Sequence, residues 1–103
     1  MADGRSGEGR GSKAGAGEAA RLASMLREAY PVVRGYLVRV SLDRVLADDL
    51  TQATMERAIE QFDTWDGRGR FSTWLVGIAS NLFLDTMRRR RRTERLEPPV
   101  HAE

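Results

Sequence analysis

The chain has 103 residues, with 17 Lys and Arg against 15 Asp and Glu, one histidine and no cysteine. That length fits one small domain with a modest core, and the missing cysteine excludes disulfides and thiolate metal sites. No apolar run approaches the roughly 18 residues of a membrane-spanning helix, and the Gly-rich start has no secretory-signal core, so a cytoplasmic chain with no membrane partner is expected.

The net charge of +2 conceals a segregation. Residues 41–66 carry two basic and seven acidic groups, whereas residues 67–95 carry eight basic and two acidic groups. One acidic and one basic segment in so short a chain suggest two different partners, one of them nucleic acid.

Residues 1–17 hold six of the ten glycines and no apolar residue larger than alanine after Met1. Such a stretch cannot bury enough surface to offset its ordering entropy, so a disordered tail is expected there. From Glu18 onward Leu22, Met25, Leu26 and Ala29 recur at helical spacing. Pro31 then either opens a second helix or interrupts a continuous one. Val32, Val33, Tyr36, Leu37 and Val40 carry the apolar face on to Ser41.

Ser41 or Asp43 can cap the next helix. Leu46, Leu50, Ala53, Ala58, Ile59 and Phe62 are its expected buried side, and Asp48, Asp49, Gln52, Glu56 and Glu60 its solvated side. Residues 63–70, DTWDGRGR, break the helix with two glycines. A last helix starts near Phe71 or Ser72. Its apolar face comprises Phe71, Trp74, Leu75, Ile78, Ala79, Leu82, Phe83 and Thr86, and it runs into Arg88–Arg92, cations suited to the negative end of a helix dipole. Pro98 and Pro99 end it. The expected fold is all-α: a compact bundle of three to four helices over residues 18–95.

No catalytic constellation is visible. His101 lies in the proline-containing tail, there is no Walker-type loop and no HExxH, and adjacent Asp48 and Asp49 point about 100° apart on a helix. No enzyme activity, cofactor or metal is expected. Binding chemistry is better represented. Clustered arginines can neutralise phosphates or simply be solvated. The loop TWDGRGRF places Trp65, Arg68, Arg70 and Phe71 together, a combination suited to stacking and holding single-stranded bases. Phe71 and Trp74 read as core residues, which leaves Trp65 as the exposed ring. Asn81, a poor residue for a helix interior, either bonds to a neighbouring helix or reads a base edge.

Two motifs, in order and at matching spacing, carry a resemblance. Ala47-Asp48-Asp49-Leu50-Thr51-Gln52-Ala53-Thr54-Met55-Glu56-Arg57-Ala58 resembles the acidic helix of region two in bacterial sigma factors of the extracytoplasmic-function (ECF) group. Phe71-Ser72-Thr73-Trp74-Leu75, Ile78-Ala79-Ser80-Asn81, Asp85 and Arg88-Arg89 resemble the helix that follows it there. The likeness spans roughly residues 22–95. It implies a transcription initiation domain. Asp48, Asp49, Gln52 and Glu56 would dock on the clamp coiled coil of the beta-prime subunit of core RNA polymerase. Trp65, Asp66, Arg68, Arg70, Ser80, Asn81, Arg88 and Arg89 would face promoter DNA, capturing flipped non-template bases of the minus-ten element. The resemblance also implies an anti-sigma factor as a further partner, and a monomer. Ala53, Met55 and Ser80 depart from the family's usual acid, aromatic and arginine. Complete members continue into region four, so residues 96–103 are expected to begin a linker, and the chain to be a region-two fragment. A docking module that binds only protein and a generic basic DNA-binding bundle are the competing readings.

Overall fold

The computed structural model describes residues 15–96. Most of the expected tail, and the expected linker beyond Leu96, lie outside the described residues. Three helices, α1 (Gly15–Ser41), α2 (Arg44–Glu60) and α3 (Phe71–Leu96), pack pairwise against one another. Among the described residues there is no strand, so the expected all-α bundle is what forms.

α1 starts three residues ahead of Glu18 and runs unbroken through Pro31. Pro31 and Arg27, whose carbonyl loses its helical partner, are both exposed, so water can satisfy the group that proline leaves unpaired. Ala29, Val33 and Leu37, spaced four residues apart, are the buried stripe. Full burial of a valine or leucine side chain contributes about 1.5–3 kcal/mol each.

The turn into α2 is closed by three short bonds. The Leu42 amide donates to the Val38 carbonyl (2.8 Å), the Asp43 amide to Ser41 Oγ (3.1 Å), and the Leu46 amide to Asp43 Oδ1 (3.0 Å). Both expected capping residues therefore act, Asp43 as the N-cap itself. The first bond is the left-handed helix-ending motif that usually recruits glycine. Here Leu42 adopts it, at φ 55°, a conformation costing a non-glycine residue about 1–2 kcal/mol.

In α2 the buried arc is Ala47, Leu50, Thr51, Thr54, Met55 and Ala58. It lies to one side of the face expected from apolar periodicity. Thr51 and Thr54 are wholly buried because each hydroxyl donates to the carbonyl four residues back, Ala47 (2.6 Å) and Leu50 (2.7 Å). Threonines satisfied within their own helix behave as small core residues. Their inclusion turns Ile59 outward, 56% exposed rather than buried. Leu46, Ala53 and Phe62 are half-buried at the edges of the arc.

A single 3₁₀ turn, Phe62–Thr64, leads into the loop. In α3 only Leu75 and Ala79 are fully buried, and the rest of the expected apolar face is half-buried. From Arg88 to Leu96 every residue is exposed. The helix therefore extends past the bundle by nine residues, about 13 Å at the rise of an α-helix.

Candidate functional site

Asp48, Asp49, Gln52 and Glu56 are all exposed on α2. Their spacing of three and four residues places them on one face, opposite the buried arc. Val45 (73% exposed) and Ile59 stand on the same face, so the acidic stripe has an apolar residue toward each end. The two aspartates differ in surroundings. Arg34 of α1 donates from Nε to Asp48 Oδ1 at 2.6 Å. The hydrogen bond and charge of Asp48 hold the Arg34 guanidinium above its ordinary value. Arg57 comes within 3.9 Å of Glu60. No described cation forms an ion pair with Asp49 or Glu56, so these two carboxylates are the ones left open. Arg34 was not a candidate in the sequence. It lies fourteen residues from Asp48, and no periodicity within one helix connects them.

The loop forms a second surface. Trp65 is not the exposed ring expected of it. Its centroid lies 5.2 Å from that of Phe71, 6.1 Å from Phe62 and 6.2 Å from Trp74, and it is half-buried among them. Phe71 and Trp74 complete the cluster at 5.5 Å. Each aromatic pair contributes about 0.5–1.5 kcal/mol beyond its buried area, which outweighs leaving the indole in water. Gly67 (φ 81°) and Gly69 (φ 67°) then turn the chain through left-handed conformations, which glycine adopts without steric cost. Asp66 Oδ1 accepts from the Arg68 amide at 2.9 Å, giving the carboxylate a turn-shaping role. Arg68 and Arg70 remain exposed. The Arg70 carbonyl accepts from the amides of Thr73 (3.1 Å) and Trp74 (3.3 Å), so that residue also opens α3.

The third surface is the outer side of α3. Ser80 is half-buried and Asn81 exposed. Asn81 makes no hydrogen bond with a described side chain, so the structure gives it no bundle-bonding role. Arg88 pairs with Asp85 one turn earlier. Arg89, Arg90, Arg91 and Arg92 are exposed without a described carboxylate partner. Among the described residues no cluster of His, Cys, Asp and Glu is arranged to hold a metal ion, and no helix is long and apolar enough to cross a membrane.

An acidic stripe on one helix, an aromatic-anchored basic loop and an arginine-rich helix end are thus assembled on one three-helix scaffold. Residues 25–93 match the family described as Sigma-70 region 2. This chain belongs to that family. The match lies inside the span over which the sequence motifs suggested it. Among curated relatives of this region 2 domain is the RNA polymerase sigma factor CarQ of Myxococcus xanthus, 36% identical over 64 residues, 62% of this chain and 37% of the relative. The ECF RNA polymerase sigma factor EcfG of Rhodopseudomonas palustris is 36% identical over 64 residues, 62% of this chain and 35% of the relative. The ECF RNA polymerase sigma factor SigW of Bacillus subtilis is 40% identical over 45 residues, 44% of this chain and 24% of the relative. The matched segments thus cover 24–37% of the relatives' lengths. These likenesses place the region 2 domain in the ECF group. No solved structure matches the chain significantly.

Proposed function

We propose that this domain acts in transcription initiation in the bacterial cytoplasm, docking through α2 on the beta-prime clamp coiled coil of core RNA polymerase and binding the non-template strand of the promoter minus-ten element. The observation that carries the reading is the separation of charge on a region 2 scaffold: the α2 face centred on Asp49, Gln52 and Glu56 is acidic, whereas loop 65–70 and the end of α3 are basic. An acidic stripe suits a basic protein surface and repels phosphate, while the arginine-bearing surface does the reverse.

In this reading the two surfaces divide the work. Complementary charge on α2 steers docking and fixes its register. Melting a promoter step costs a few kcal/mol of unstacking, least at A·T-rich steps. Capture of a flipped base by the loop and by Asn81 offsets that cost, and the arginines of α3 hold the backbone. Arg68 and Arg70 bring charge to the loop. Trp65 acts from behind it, as the anchor that keeps the loop on α3. The function is binding rather than turnover. The same α2 face is the surface an anti-sigma factor would cover to keep the domain from polymerase.

The test is affinity for purified bacterial core RNA polymerase, measured for the parent chain and for Asp49→Arg. Binding that Asp49→Arg abolishes supports docking through α2. Equal binding by both removes the assignment.

A further inference from the structure

The turn between α1 and α2 carries a leucine where its conformation would favour glycine. Leu42 sits at φ 55° with its side chain 88% exposed. The side chain contributes nothing to the core, and its Cβ is what makes the backbone unfavourable. Val45, three residues on, is 73% exposed, and Val40, two residues before, is 39% exposed. Three branched apolar residues thus surround one tight turn, facing solvent.

The turn is rigidly built. The Leu42 amide is held by the Val38 carbonyl, the Asp43 amide by Ser41 Oγ, and the Leu46 amide by Asp43 Oδ1. A turn so closed needs no backbone ordering when a partner covers it, and that saving is what preorganisation contributes to affinity. Val45 is also the first member of the acidic face, one turn before Asp48 and Asp49 and two before Gln52. Val45 therefore belongs to the acidic stripe, and Leu42 lies in the turn three residues ahead of it.

Charges on such a face set encounter rate and register, whereas affinity is concentrated in the few residues that become fully desolvated in a well-packed pocket of the partner. We propose that Leu42 and Val45 are the apolar anchor of the α2 docking face, inserted into an apolar recess that basic side chains flank on the core RNA polymerase. This rests on the docking reading above and adds the specificity-determining residues to it. The partner's chemistry follows from that arrangement: cations opposite Asp49 and Glu56, and an aliphatic hollow beyond their amino-terminal end.

The experiment measures core RNA polymerase affinity and thermal unfolding for Leu42→Asn, Leu42→Gly, Leu42→Met, Val45→Ser and Asp49→Arg. Asparagine and glycine both tolerate the left-handed backbone, so both Leu42 variants should melt at the parent temperature or above it. Each should nonetheless bind about tenfold more weakly, a loss of about 1.4 kcal/mol, with Val45→Ser similar and Leu42→Met close to the parent. A residue that served only the fold would show the opposite pattern. If Leu42→Asn and Val45→Ser bind like the parent while Asp49→Arg does not bind, the anchor is refuted and α2 docking survives. If the apolar variants lose binding while Asp49→Arg keeps it, the anchor stands and the acidic reading falls. If none of them changes affinity, both fail.

Discussion

Arg34 on α1 reaches across to α2 and donates from Nε to Asp48 Oδ1 at 2.6 Å, while Asp49 beside it meets no described cation. Adjacent acids in one motif are therefore unequal. Asp48 already has its charge partner, and a docking surface must compete with Arg34 for it. Asp49 is open. Since the Arg34–Asp48 pair is exposed to solvent, screening keeps its contribution to stability small. Asp48→Asn is expected to leave thermal unfolding nearly unchanged and to weaken core polymerase binding by less than about threefold. Asp49→Asn should weaken it more than about tenfold. Affinities measured for both variants in one titration series decide this, and equal losses would show that Arg34 releases Asp48 on docking.

Trp65 gives the loop its position. With Phe62, Phe71 and Trp74 around it, the indole is a wedge between the 3₁₀ turn and the start of α3. Its truncation should therefore act on stability as well as on DNA. Trp65→Ala is expected to lower the unfolding free energy by about 1–3 kcal/mol, less than a fully buried aromatic would. Trp65→Phe should cost under about 1 kcal/mol, since a ring remains to fill the cluster. Urea unfolding measures both. An alanine variant as stable as the parent would mean that the ring is a free stacking surface after all.

Much of this architecture is legible in the sequence, and the exceptions have physical causes. Helix type and order follow from apolar spacing, and the Asp43 cap from a carboxylate three residues ahead of an open amide. The rotation of α2 was hidden because Thr51 and Thr54 count as polar until their hydroxyls are seen to bond within the helix. Ile59 is exposed as a direct consequence. Trp65 looked exposed because it lies between Asp63 and Asp66, and only the fold brings Phe62 and Trp74 to it. The acidic and basic surfaces were each readable from local composition. The pairing that separates Asp48 from Asp49 was not, since it joins two helices. The left-handed backbone at Leu42 also left no trace, because leucine is a residue that such turns usually avoid.

The buried threonines give a stability test of the same point. Each hydroxyl bonds only to a carbonyl in its own helix, and those carbonyls keep their backbone partners. Thr54→Val is expected to change stability by less than about 1 kcal/mol, because an apolar group of the same shape replaces a hydroxyl that serves no second helix. Thr54→Leu adds volume to a packed interface and should cost about 1–3 kcal/mol. Paired urea curves measure the difference. A valine variant that unfolds much more readily would reveal an inter-helix role for the hydroxyl.

Gly67 and Gly69 separate loop shape from loop contacts. A Cβ added at either would meet no atom within 4 Å beyond its chain neighbours, so only the left-handed backbone opposes substitution. Alanine at either position is expected to cost about 1–2 kcal/mol of loop conformational energy, without a clash. Under the strand-capture reading, each variant should bind core polymerase like the parent and open a minus-ten duplex less well. A fluorescent base analogue in the non-template strand reports opening. Undiminished opening by the double alanine variant would release the loop from its assigned role.

The arginines at the end of α3 predict a graded salt dependence. Each phosphate contact with single-stranded DNA contributes about 0.7 to the slope of log affinity against log salt, and each contact with duplex about 0.9. Arg89 and Arg90 meet no described carboxylate, whereas Arg88 is paired with Asp85. Bound to core polymerase on a forked promoter fragment, Arg89→Ala combined with Arg90→Ala should flatten the slope by about 1.4–1.8. Arg88→Ala should flatten it by less than one full contact, because Asp85 already offsets part of its charge. Asn81→Ala removes no charge and should weaken binding with the slope intact, as expected of a group that meets a base rather than the backbone. Equal slopes for the parent and the double arginine variant would place the end of α3 away from the DNA and leave the loop as the only basic surface near the strand.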